Sequence, residues 1–292
     1  MSTDEEALTP SDCARMKVIV LGSTGRVNAR DEAERLRPTI EKSAEIVHSD
    51  FEFKSDLSKI EADVAIVLGG DGSILRAAHQ MGMQQRPIVG VNLGKLGFLA
   101  DINPAAFEFV WPKVCVGRYR VVNHLMFTCE VWRGNERLSE HLGLNETAII
   151  GGPPYSILNV DLHVDGEWAT TYSADGLIIS TPVGSTAHNL SAGGPIVRKD
   201  LQAFVISPIS PHTLTMRSVV DTANRAYDLM VPEPNEGTAV VVDGRTVHHP
   251  VLPGDRIRVQ RASTSFQLVE VPGQGYYRTL REKLGWAGRI GR

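Results

Sequence analysis

The sequence predicts an α/β N-terminal domain with a parallel sheet, followed by an all-β sandwich C-terminal domain. Three observations lead to this prediction. Residues 1–120 of the 292-residue chain contain short apolar runs that end in glycine and are followed by stretches with helical spacing. Residues 121–275 instead contain many short β-branched runs separated by turn dipeptides. Residues 276–292 return to helical spacing, and we expect this tail to pack back on the first domain.

The N-terminal part alternates predicted strands and helices. Continuous apolar runs that stop at glycine-rich loops are typical of fully buried strands. A charged stretch with apolar residues at helical spacing follows the first run, although Pro38 should disturb it. The predicted strands are Lys17–Leu21, Val64–Leu68 and Pro87–Asn92, and the predicted helices are 28–47 and Ser73–Met83.

The C-terminal part is predicted to consist of short strands separated by loops. Its runs alternate or are β-branched, as expected where strands pack into a sandwich. Asp165-Gly166 and Asp243-Gly244 are each typical of a tight hairpin turn. The predicted strands are Phe127–Trp132, Thr147–Ile150, Leu158–Val164, Gly176–Thr181, Ala203–Ile206, Ala239–Val242 and Arg256–Gln260.

Charge and composition argue against several classes of protein. The formal net charge of −4 provides no basic field for nucleic acid or an anionic membrane. The first residues are acidic, unlike a signal peptide, and no apolar stretch approaches the roughly 20 residues that cross a bilayer. Cys13, Cys115 and Cys129 show no CxxC spacing, which indicates neither a disulfide framework nor a zinc site. We therefore expect a cytoplasmic protein without nucleic-acid or membrane partners.

The segment Gly69–Ser73 (GGDGS) follows a predicted strand and precedes a predicted helix. Glycines allow close approach of a ligand, and backbone N–H groups at a helix start can face phosphate oxygens. The carboxylate of Asp71 could then accept or orient a hydroxyl proton during phosphoryl transfer. A strand-to-helix turn in which Asp71 only caps the helix explains the residues equally well. The segment matches neither the Walker loop nor GxGxxG.

Two further polar segments adjoin predicted strands. The loop 92–99 (NLGKLGFL) lies at a strand end, where open α/β sheets place their ligand crevices. Phe98 and Leu99 could instead be core residues of the next element. Asn145 and Glu146 would offer an amide for a base edge and a carboxylate for a ribose hydroxyl. They could also be the solvent-facing start of a strand.

Residues 173–195 (SADGLIISTPVGSTAHNLSAGGP) combine a buried-looking strand with a long run of small residues. Small residues let the backbone approach a flat ligand and supply hydroxyl donors. A plain connecting loop would accept larger polar side chains, and a Ser/Thr-rich linker would not be flanked by apolar strands. The segment therefore indicates a ligand pocket.

These segments together resemble the NAD kinase family in their sequence motifs and in the order of those motifs along the chain. The GGDG turn alone also occurs in diacylglycerol-type lipid kinases and phosphofructokinases, whereas the block from ADG to AGGP is highly specific. The resemblance covers the chain from about residue 64 to its end. The segments that carry it are GGDGS (69–73), NLGKLGFLAD (92–101), LNE (144–146), DGLIISTPVGSTAHNLSAGGPIV (175–197), SPISPHTLTMRSVV (207–220) and LREKLGW (280–286).

The resemblance implies a function as well as a fold. It implies a nucleotide-binding α/β domain over 1–120, a dinucleotide-binding β-sandwich domain over 121–275, and a cleft between them. ATP would donate its γ-phosphoryl group to the 2′-hydroxyl of the adenosine ribose of NAD, which gives NADP. The resemblance also implies Mg²⁺ or another divalent metal, whose protein ligands it does not identify, and a homodimer or homotetramer.

The resemblance also assigns roles to individual residues. Asp71 would be the catalytic carboxylate that faces the 2′-hydroxyl of NAD. Asn145 would bind adenine, and Glu146 would hold a ribose hydroxyl. Family pockets often include residues of another subunit, so the site could need an oligomer. The remaining expected substrate-binding residues are Gly72, Phe98, Asp175, Thr186, Ala187, His188, Ser191 and Asp243. For Asp243, the hairpin turn alone is an equally good explanation.

The sequence departs from the motifs of the family at one residue and in one loop. His188 stands where many members have Tyr, and an imidazole can titrate near neutral pH. The first loop reads GSTGRVNAR, so a phosphate-binding role of Arg26 or Asn28 is not supported by the resemblance. His212 and Arg217 are candidates for a catalytic acid and a phosphate clamp, although a lone histidine in a β domain is usually structural.

Two other functions stay open at this point. A lipid or sugar kinase would share the GGDG turn, but acyl chains need an apolar tunnel, and small polar loops follow residue 145 instead. A catalytically silent dinucleotide-binding regulator would keep the pocket and lose the catalytic carboxylate. Asp71 and Glu146 are both present, which favours an enzyme.

Overall fold

The computed structural model describes residues 15–23, 29–270 and 276–286. The α-helices are α1 (Ala29–Glu41), α2 (Asp71–Met81), α3 (Pro104–Cys115), the single turn α4 (His188–Ser191) and α5 (Tyr276–Leu284). The strands are β1 (Met16–Gly22), β2 (Ala44–Asp50), β3 (Val64–Leu68), β4 (Ile88–Val91), β5 (Arg120–Arg133), β6 (Glu136–Gly143), β7 (Glu146–Ile150), β8 (Leu158–Val164), β9 (Glu167–Ala174), β10 (Gly176–Ser180), β11 (Ala203–Ile209), β12 (Val219–Thr222), β13 (Tyr227–Met230), β14 (Ala239–Val242), β15 (Arg245–His248) and β16 (Asp255–Glu270). Short 3₁₀ turns span Leu57–Lys59 and Gly184–Thr186.

The N-terminal strands form a parallel sheet in the order β2-β1-β3-β4, with helices on both faces. Strand β3 is buried along its whole length because its alternate residues face different helices. Val64, Ile66 and Leu68 pack with α1 and α3. Ala65 and Val67 pack with α2 on the opposite face. The predicted α/β domain with a parallel sheet is confirmed, and the strand ends after residue 68 place the GGDGS segment at the carboxyl edge of the sheet.

Residues 42–50 differ from the prediction. The helix expected over 28–47 ends at Glu41, and Pro38 lies within it without ending it. Residues Ala44–Asp50 instead form the edge strand β2, which is parallel to β1. An edge strand is half buried, so its apolar residues show no clear alternation, and pairing with β1 decides its conformation. Helix α3 was not predicted at all. Asn103 caps the start of this helix, because its side chain accepts a hydrogen bond from the Ala106 amide at 2.8 Å.

The C-terminal strands form two antiparallel layers that pack face to face. One layer is a six-stranded sheet in the order β12-β11-β10-β7-β14-β15. The facing layer contains β5, β6, β8, β9, β13 and β16. One apolar cluster fills the space between them, with Ile179 and Phe204 from the first layer and Phe127, Tyr227 and Val259 from the second. The predicted antiparallel β domain after the α/β domain is confirmed.

Strand β16 joins the two parts of the chain into one sheet. Residues 255–261 and 265–270 of this strand pair antiparallel with β5, residues 256–259 also pair with β13, and Leu268 pairs in parallel with Ile88 of β4. The sequence indicated only Arg256–Gln260 as a strand here. The parallel sheet and the second layer of the sandwich are thus one ten-stranded sheet, and the division of the chain at residue 120 stays a prediction.

Both predicted hairpin turns are present with the expected backbone. Asp165 and Gly166 join β8 to β9 with φ values of +52° and +86°, and Asp243 and Gly244 join β14 to β15 with +48° and +76°. Positive φ at both central residues is the hairpin geometry that fits the twist of the strands.

Helix α5 lies against the loop that follows β4. Its Thr279 and Leu280 are buried, and the Nζ atom of Lys283 lies 5.2 Å from the centre of the Phe98 ring. The Tyr276 hydroxyl donates to the Val197 carbonyl at 3.4 Å. Helix α5 therefore contacts residues on both sides of residue 120. Among the helices in the described ranges, none is long and apolar enough to span a bilayer.

We expect the substitution Phe266→Ala to destabilise the protein strongly. Phe266 of β16 is 0% exposed, stacks on His124 and packs in the cluster that includes α2 and β4. Loss of a buried aromatic ring typically costs about 3 to 5 kcal/mol because a cavity is left. Urea unfolding measures the change. Phe109→Ala on α3 is the control: its side chain is 76% exposed, and its loss should change the unfolding free energy by under about 0.5 kcal/mol.

Candidate functional site

Asp71, the first residue of α2, is held by the loop after β4. Its carboxylate accepts hydrogen bonds from three consecutive backbone amides, those of Phe98 and Leu99 at 2.8 Å and that of Ala100 at 3.2 Å. The helix-capping role considered for Asp71 is not seen, because the cap residue is Gly70 and no side chain caps the helix. A carboxylate has about four acceptor positions. Three are used, so one on Oδ2 stays available to a ligand.

The glycines around Asp71 fall into two kinds. A Cβ atom on Gly97 would lie 2.2 Å from Oδ1 of Asp71, so only glycine lets the loop close on the carboxylate. A Cβ atom on Gly70 or Gly72 would meet no atom within 4 Å. Protein packing therefore does not explain these two glycines, and the open space above the start of α2 is available to a ligand.

A cavity of about 270 Å³ lies at the carboxyl ends of β1, β3 and β4, beside Asp71. Gly69, Gly70 and Ser73 line it on one side, and the loop with Lys95 lines it on the other. The amide side chain of Asn92 shapes that loop by donating to the carbonyls of Lys95 and Ala100 at 2.8 and 2.9 Å. Backbone N–H groups at the start of α2 together with a lysine suit an anionic ligand such as phosphate.

The backbone of Leu144, Asn145 and Glu146 is satisfied entirely by protein groups. The three amides donate to Asp243, at 2.8, 2.7 and 3.0 Å. The carbonyls of Leu144 and Asn145 accept from the hydroxyl and the amide of Thr181, and that of Glu146 accepts from the amide of Asp243. The side chains of Asn145 and Glu146 are therefore the parts of this segment that are available to a ligand.

Glu146 is a buried carboxyl group with an unsatisfied oxygen. The residue is 7% exposed, and its Oε2 atom has no hydrogen-bond partner among the described residues. Burial, and secondarily the negative charge of Asp243, raise the pKa of Glu146 to about 8, against a smaller opposing effect of the His188 amide. A hydroxyl group of a ligand would supply the missing partner.

The side chain of Asp243 is buried and is not exposed to a ligand. Its side chain is 0% exposed, and its fourth contact, besides the three amides, is the ring Nε2 of His79, which donates to Oδ2 at 2.8 Å. All of its observed partners are protein groups. Binding of NAD by Asp243 stays a prediction that the geometry does not favour.

Thr186, Ala187, His188 and Ser191 lie in the connection 181–202 between β10 and β11, on its 3₁₀ turn and on α4 or between them. The His188 amide faces the carboxyl group of Glu146, so this turn adjoins the 144–146 segment. Thr186, Ala187 and His188 are half-buried, and Ser191 is exposed. Of the four, the His188 amide is the group that these contacts place at Glu146.

Several small polar residues of the same block are scaffold, which the sequence pattern did not show. The hydroxyl of Ser185 donates to Pro182, and the side chain of Asn189 donates to Ser185 and Pro195. Ser207 donates to Asn189 at 2.7 Å. Ser185, Asn189 and Ser207 are 0% exposed, so they brace the turn and do not touch a ligand.

Asp175 lies at the other end of β10. Gly176 pairs with Ile150, whereas Ser180 pairs with Glu146, so about five residues, or roughly 17 Å, separate Asp175 from Glu146 along the strand. The carboxylate of Asp175 is exposed and lies 3.0 Å from Nε2 of His212, which lowers the pKa of Asp175. Within one chain, the expected site residues thus form two separate groups.

The remaining candidates have clear positions. His212 partners Asp175, and Arg217 donates to the carbonyls of Leu214 and Met216, whereas the carboxylate of Asp71 is bonded to backbone amides. Arg26 and Asn28 lie outside the described residues.

Lys199 is a site-supporting residue that sequence analysis missed. Its Nζ atom donates to the Phe98 carbonyl at 2.6 Å, beneath the loop that holds Asp71. Burial lowers the pKa of Lys199, while the charges of Asp101, Glu270 and Asp71 oppose that shift. Its position two residues after the AGGPIV segment (192–197) was the available signal.

Comparison with known proteins identifies the family of the chain. Residues 9–119 match the family described as ATP-NAD kinase N-terminal domain, and residues 144–271 match the ATP-NAD kinase C-terminal domain. A NAD kinase of Rhodopirellula baltica is 53% identical over 290 residues, which cover 99% of this chain and 93% of the relative. A NAD kinase of Geotalea daltonii is 38% identical over 258 residues, which cover 88% of this chain and 90% of the relative.

Solved structures show the same fold. The crystal structure of a NAD kinase from Archaeoglobus fulgidus in complex with ATP has a TM-score of 0.74 at 26% identity and covers 94% of this chain and 100% of its own. The crystal structure of yeast NADH kinase complexed with NADH has a TM-score of 0.84 at 20% identity. The match covers 95% of this chain and 90% of the yeast chain. Over nearly its whole length, therefore, the chain belongs to the NAD kinase family and is an enzyme of that type.

Proposed function

We propose that the protein transfers the γ-phosphoryl group of ATP to the 2′-hydroxyl of the adenosine ribose of NAD, which gives NADP. The observation that carries the proposal is the carboxylate of Asp71. Three loop amides fix it at the start of α2, beside open space and a cavity suited to phosphate. Membership of the NAD kinase family supports the choice of NAD and ATP as substrates.

Asp71 acts mainly by orientation. Its free acceptor position on Oδ2 receives the hydrogen of the 2′-hydroxyl and aims the oxygen at the γ-phosphorus. The new O–P bond forms, the bond from the γ-phosphorus to the bridging oxygen breaks in line, and ADP leaves. The hydroxyl proton passes to Asp71. A loose transition state requires this proton late, so positioning supplies most of the rate.

The ATP phosphates fit the cavity that Gly70, Ser73 and Lys95 line. The described residues contain no cluster of three or more His, Cys, Asp or Glu side chains suited to a metal. Mg²⁺ commonly keeps several waters and binds through substrate phosphates, so in this proposal the ATP phosphates would hold the ion with few protein ligands. When bound, the ion neutralises charge on the transferring phosphoryl group. Lys95 adds a positive charge on the protein side.

In this proposal the adenosine part of NAD binds beside Glu146. Asn145 offers its amide to the adenine edge, and Glu146 offers its unsatisfied oxygen to a ribose hydroxyl. Phe98 packs against the adenine end. Gly72 leaves room for the dinucleotide, and the turn with Thr186, Ala187, His188 and Ser191 closes the pocket.

The protein acts as a homodimer or homotetramer in this proposal. Asp175 lies roughly 17 Å along β10 from Glu146 and so belongs to a different part of the binding site. A second copy would bring its Asp175 to the nicotinamide side of the site. With a net charge of −4, the protein would act in the cytoplasm without nucleic-acid or membrane partners.

Turnover of NAD tests the proposal directly. Purified protein should convert NAD to NADP when ATP is supplied. Failure with ATP, with polyphosphate and with other nucleoside triphosphates would refute the function. An assay of the same preparation with diacylglycerol, sphingosine and fructose 6-phosphate distinguishes a lipid or sugar kinase.

Asp71→Asn should lower turnover by about 10²- to 10⁴-fold, because an amide neither orients the hydroxyl as well nor takes its proton. Calorimetry should still detect NAD binding. The matched control is Asp56→Asn, which alters an aspartate that accepts a backbone amide at the start of a 3₁₀ turn away from the site. A kcat of Asp71→Asn near that of wild type would show that the assigned role is wrong.

Gly97→Ala should lower kcat by at least about tenfold, because the new Cβ would lie 2.2 Å from Oδ1 of Asp71 and displace the carboxylate. A double-mutant cycle with Asp71→Asn identifies the cause. If Gly97→Ala acts through Asp71, it should cost little in the Asp71→Asn background. Equal losses in both backgrounds would mean that it acts elsewhere.

NAD affinity should rise with pH up to about pH 8 and then level off. A ribose hydroxyl donates best to the ionised form of Glu146, whose pKa is raised to about 8 in the free protein. Below that value, each unit of pH should change the dissociation constant by up to about tenfold. Calorimetry from pH 6.5 to 8.5 measures this dependence. Glu146→Gln should flatten it, and a dependence that persists in the variant would assign it to another group.

A further inference from the structure

The chain contains two Asp-Gly hairpin turns of the same geometry but with very different surroundings. Asp165 and Asp243 have φ values of +52° and +48°. The side chain of Asp165 is 51% exposed, and its carboxylate accepts one backbone amide, that of Ala226. The side chain of Asp243 is 0% exposed. The turn itself therefore does not require a buried carboxylate, and the burial of Asp243 needs another explanation.

The partners of Asp243 supply that explanation. A buried charge is costly unless hydrogen bonds compensate it. Oδ1 accepts from the amides of Asn145 and Glu146, and Oδ2 accepts from the amide of Leu144 and from Nε2 of His79. Three of the four bonds thus hold the segment that carries the adenosine-binding side chains, and the fourth reaches a different element.

That fourth partner lies on the helix that begins with Asp71. His79 follows Asp71 by eight residues, roughly 12 Å along α2, and its side chain is 17% exposed. At the start of α2, Asp71 binds the amides of the loop 98–100. Further along the helix, His79 binds Asp243, which in turn binds the amides of the segment 144–146. The same helix therefore connects the group that orients the hydroxyl with the groups that bind the nucleotide.

We propose that His79 and Asp243 are a positioning pair, which fixes the segment 144–146 relative to α2 and thereby sets where the 2′-hydroxyl of NAD lies with respect to Asp71. Its effect on NAD rests on the proposed function. Neither side chain touches substrate in this arrangement. Apolar contacts alone would allow sliding, because Ile74 of α2 and Leu144 share one cluster without a directional bond.

Two substitutions of His79 separate the directional bond from simple packing. Glutamine can place its Nε2 donor near the position of the histidine Nε2, whereas the shorter asparagine cannot reach Asp243. We expect His79→Asn to raise the KM for NAD by about tenfold, as for loss of a hydrogen bond to a charged group. His79→Gln should stay within about twofold of wild type, and the KM for ATP should change by less than about twofold in both variants.

Hydrogen exchange provides a readout that does not depend on turnover. In His79→Asn, the amides of Leu144, Asn145 and Glu146 should exchange faster than in wild type, because the carboxylate that they share loses its anchor to α2. His79→Gln should preserve their protection. Asp165→Asn, in the exposed hairpin, is the control and should change neither exchange at 144–146 nor either KM.

The KM values and the exchange rates of the His79 variants test the positioning pair. A raised KM for NAD with a nearly unchanged KM for ATP in His79→Asn, rescue by glutamine and faster exchange at 144–146 support the positioning pair. An unchanged KM for NAD in His79→Asn, or equal rises in the KM for NAD and for ATP, would overturn it. If wild-type protein does not phosphorylate NAD, the proposed function fails, and the exchange of the three amides alone decides whether the pair positions the segment.

Discussion

A carboxylate that accepts three consecutive backbone amides is the constraint on which this site depends. The carboxylate of Asp71 holds the amides of 98–100, and that of Asp243 holds those of 144–146. Loops with so many parallel N–H groups would otherwise leave donors unsatisfied. In each case the loop backbone is fixed by one side chain, so the groups beside it can point toward a ligand.

The two carboxylates differ in burial, and that difference separates their roles. Asp243 is entirely buried and has protein partners on both oxygens, so it can only position other groups. Asp71 is partly exposed and keeps one acceptor position, so it can bind a hydroxyl. Glu146, buried with one unsatisfied oxygen, is stabilised in its neutral form until a ligand replaces the missing partner.

The sheet explains how these groups hold their positions across the molecule. Strand β16 pairs with β4 of the parallel sheet and with β5 and β13 of the sandwich. A continuous hydrogen-bonded sheet resists relative movement of the layers more than a flexible linker would. Helix α2 packs on one face of that sheet, and its cluster includes Phe266 of β16 and Leu144. The core therefore brings α2 beside the 144–146 segment, and in our proposal the His79–Asp243 hydrogen bond fixes their relative position.

The fold class, the strand before GGDGS, both Asp-Gly turns and the family could be predicted from the amino-acid sequence, because they depend on local pattern and on short motifs. The sequence could not show which polar residues are free to bind a ligand. Ser185 and Asn189 belong to the small-residue block that predicted a pocket, but they are buried and brace that segment, whereas Lys199 and His79 were not predicted. Burial and hydrogen-bond partners come from elements far apart in the chain: His79 and Asp243 are separated by 164 residues. Local spacing contains no information about such a contact, so it could be found only once the sheets had brought the two residues together.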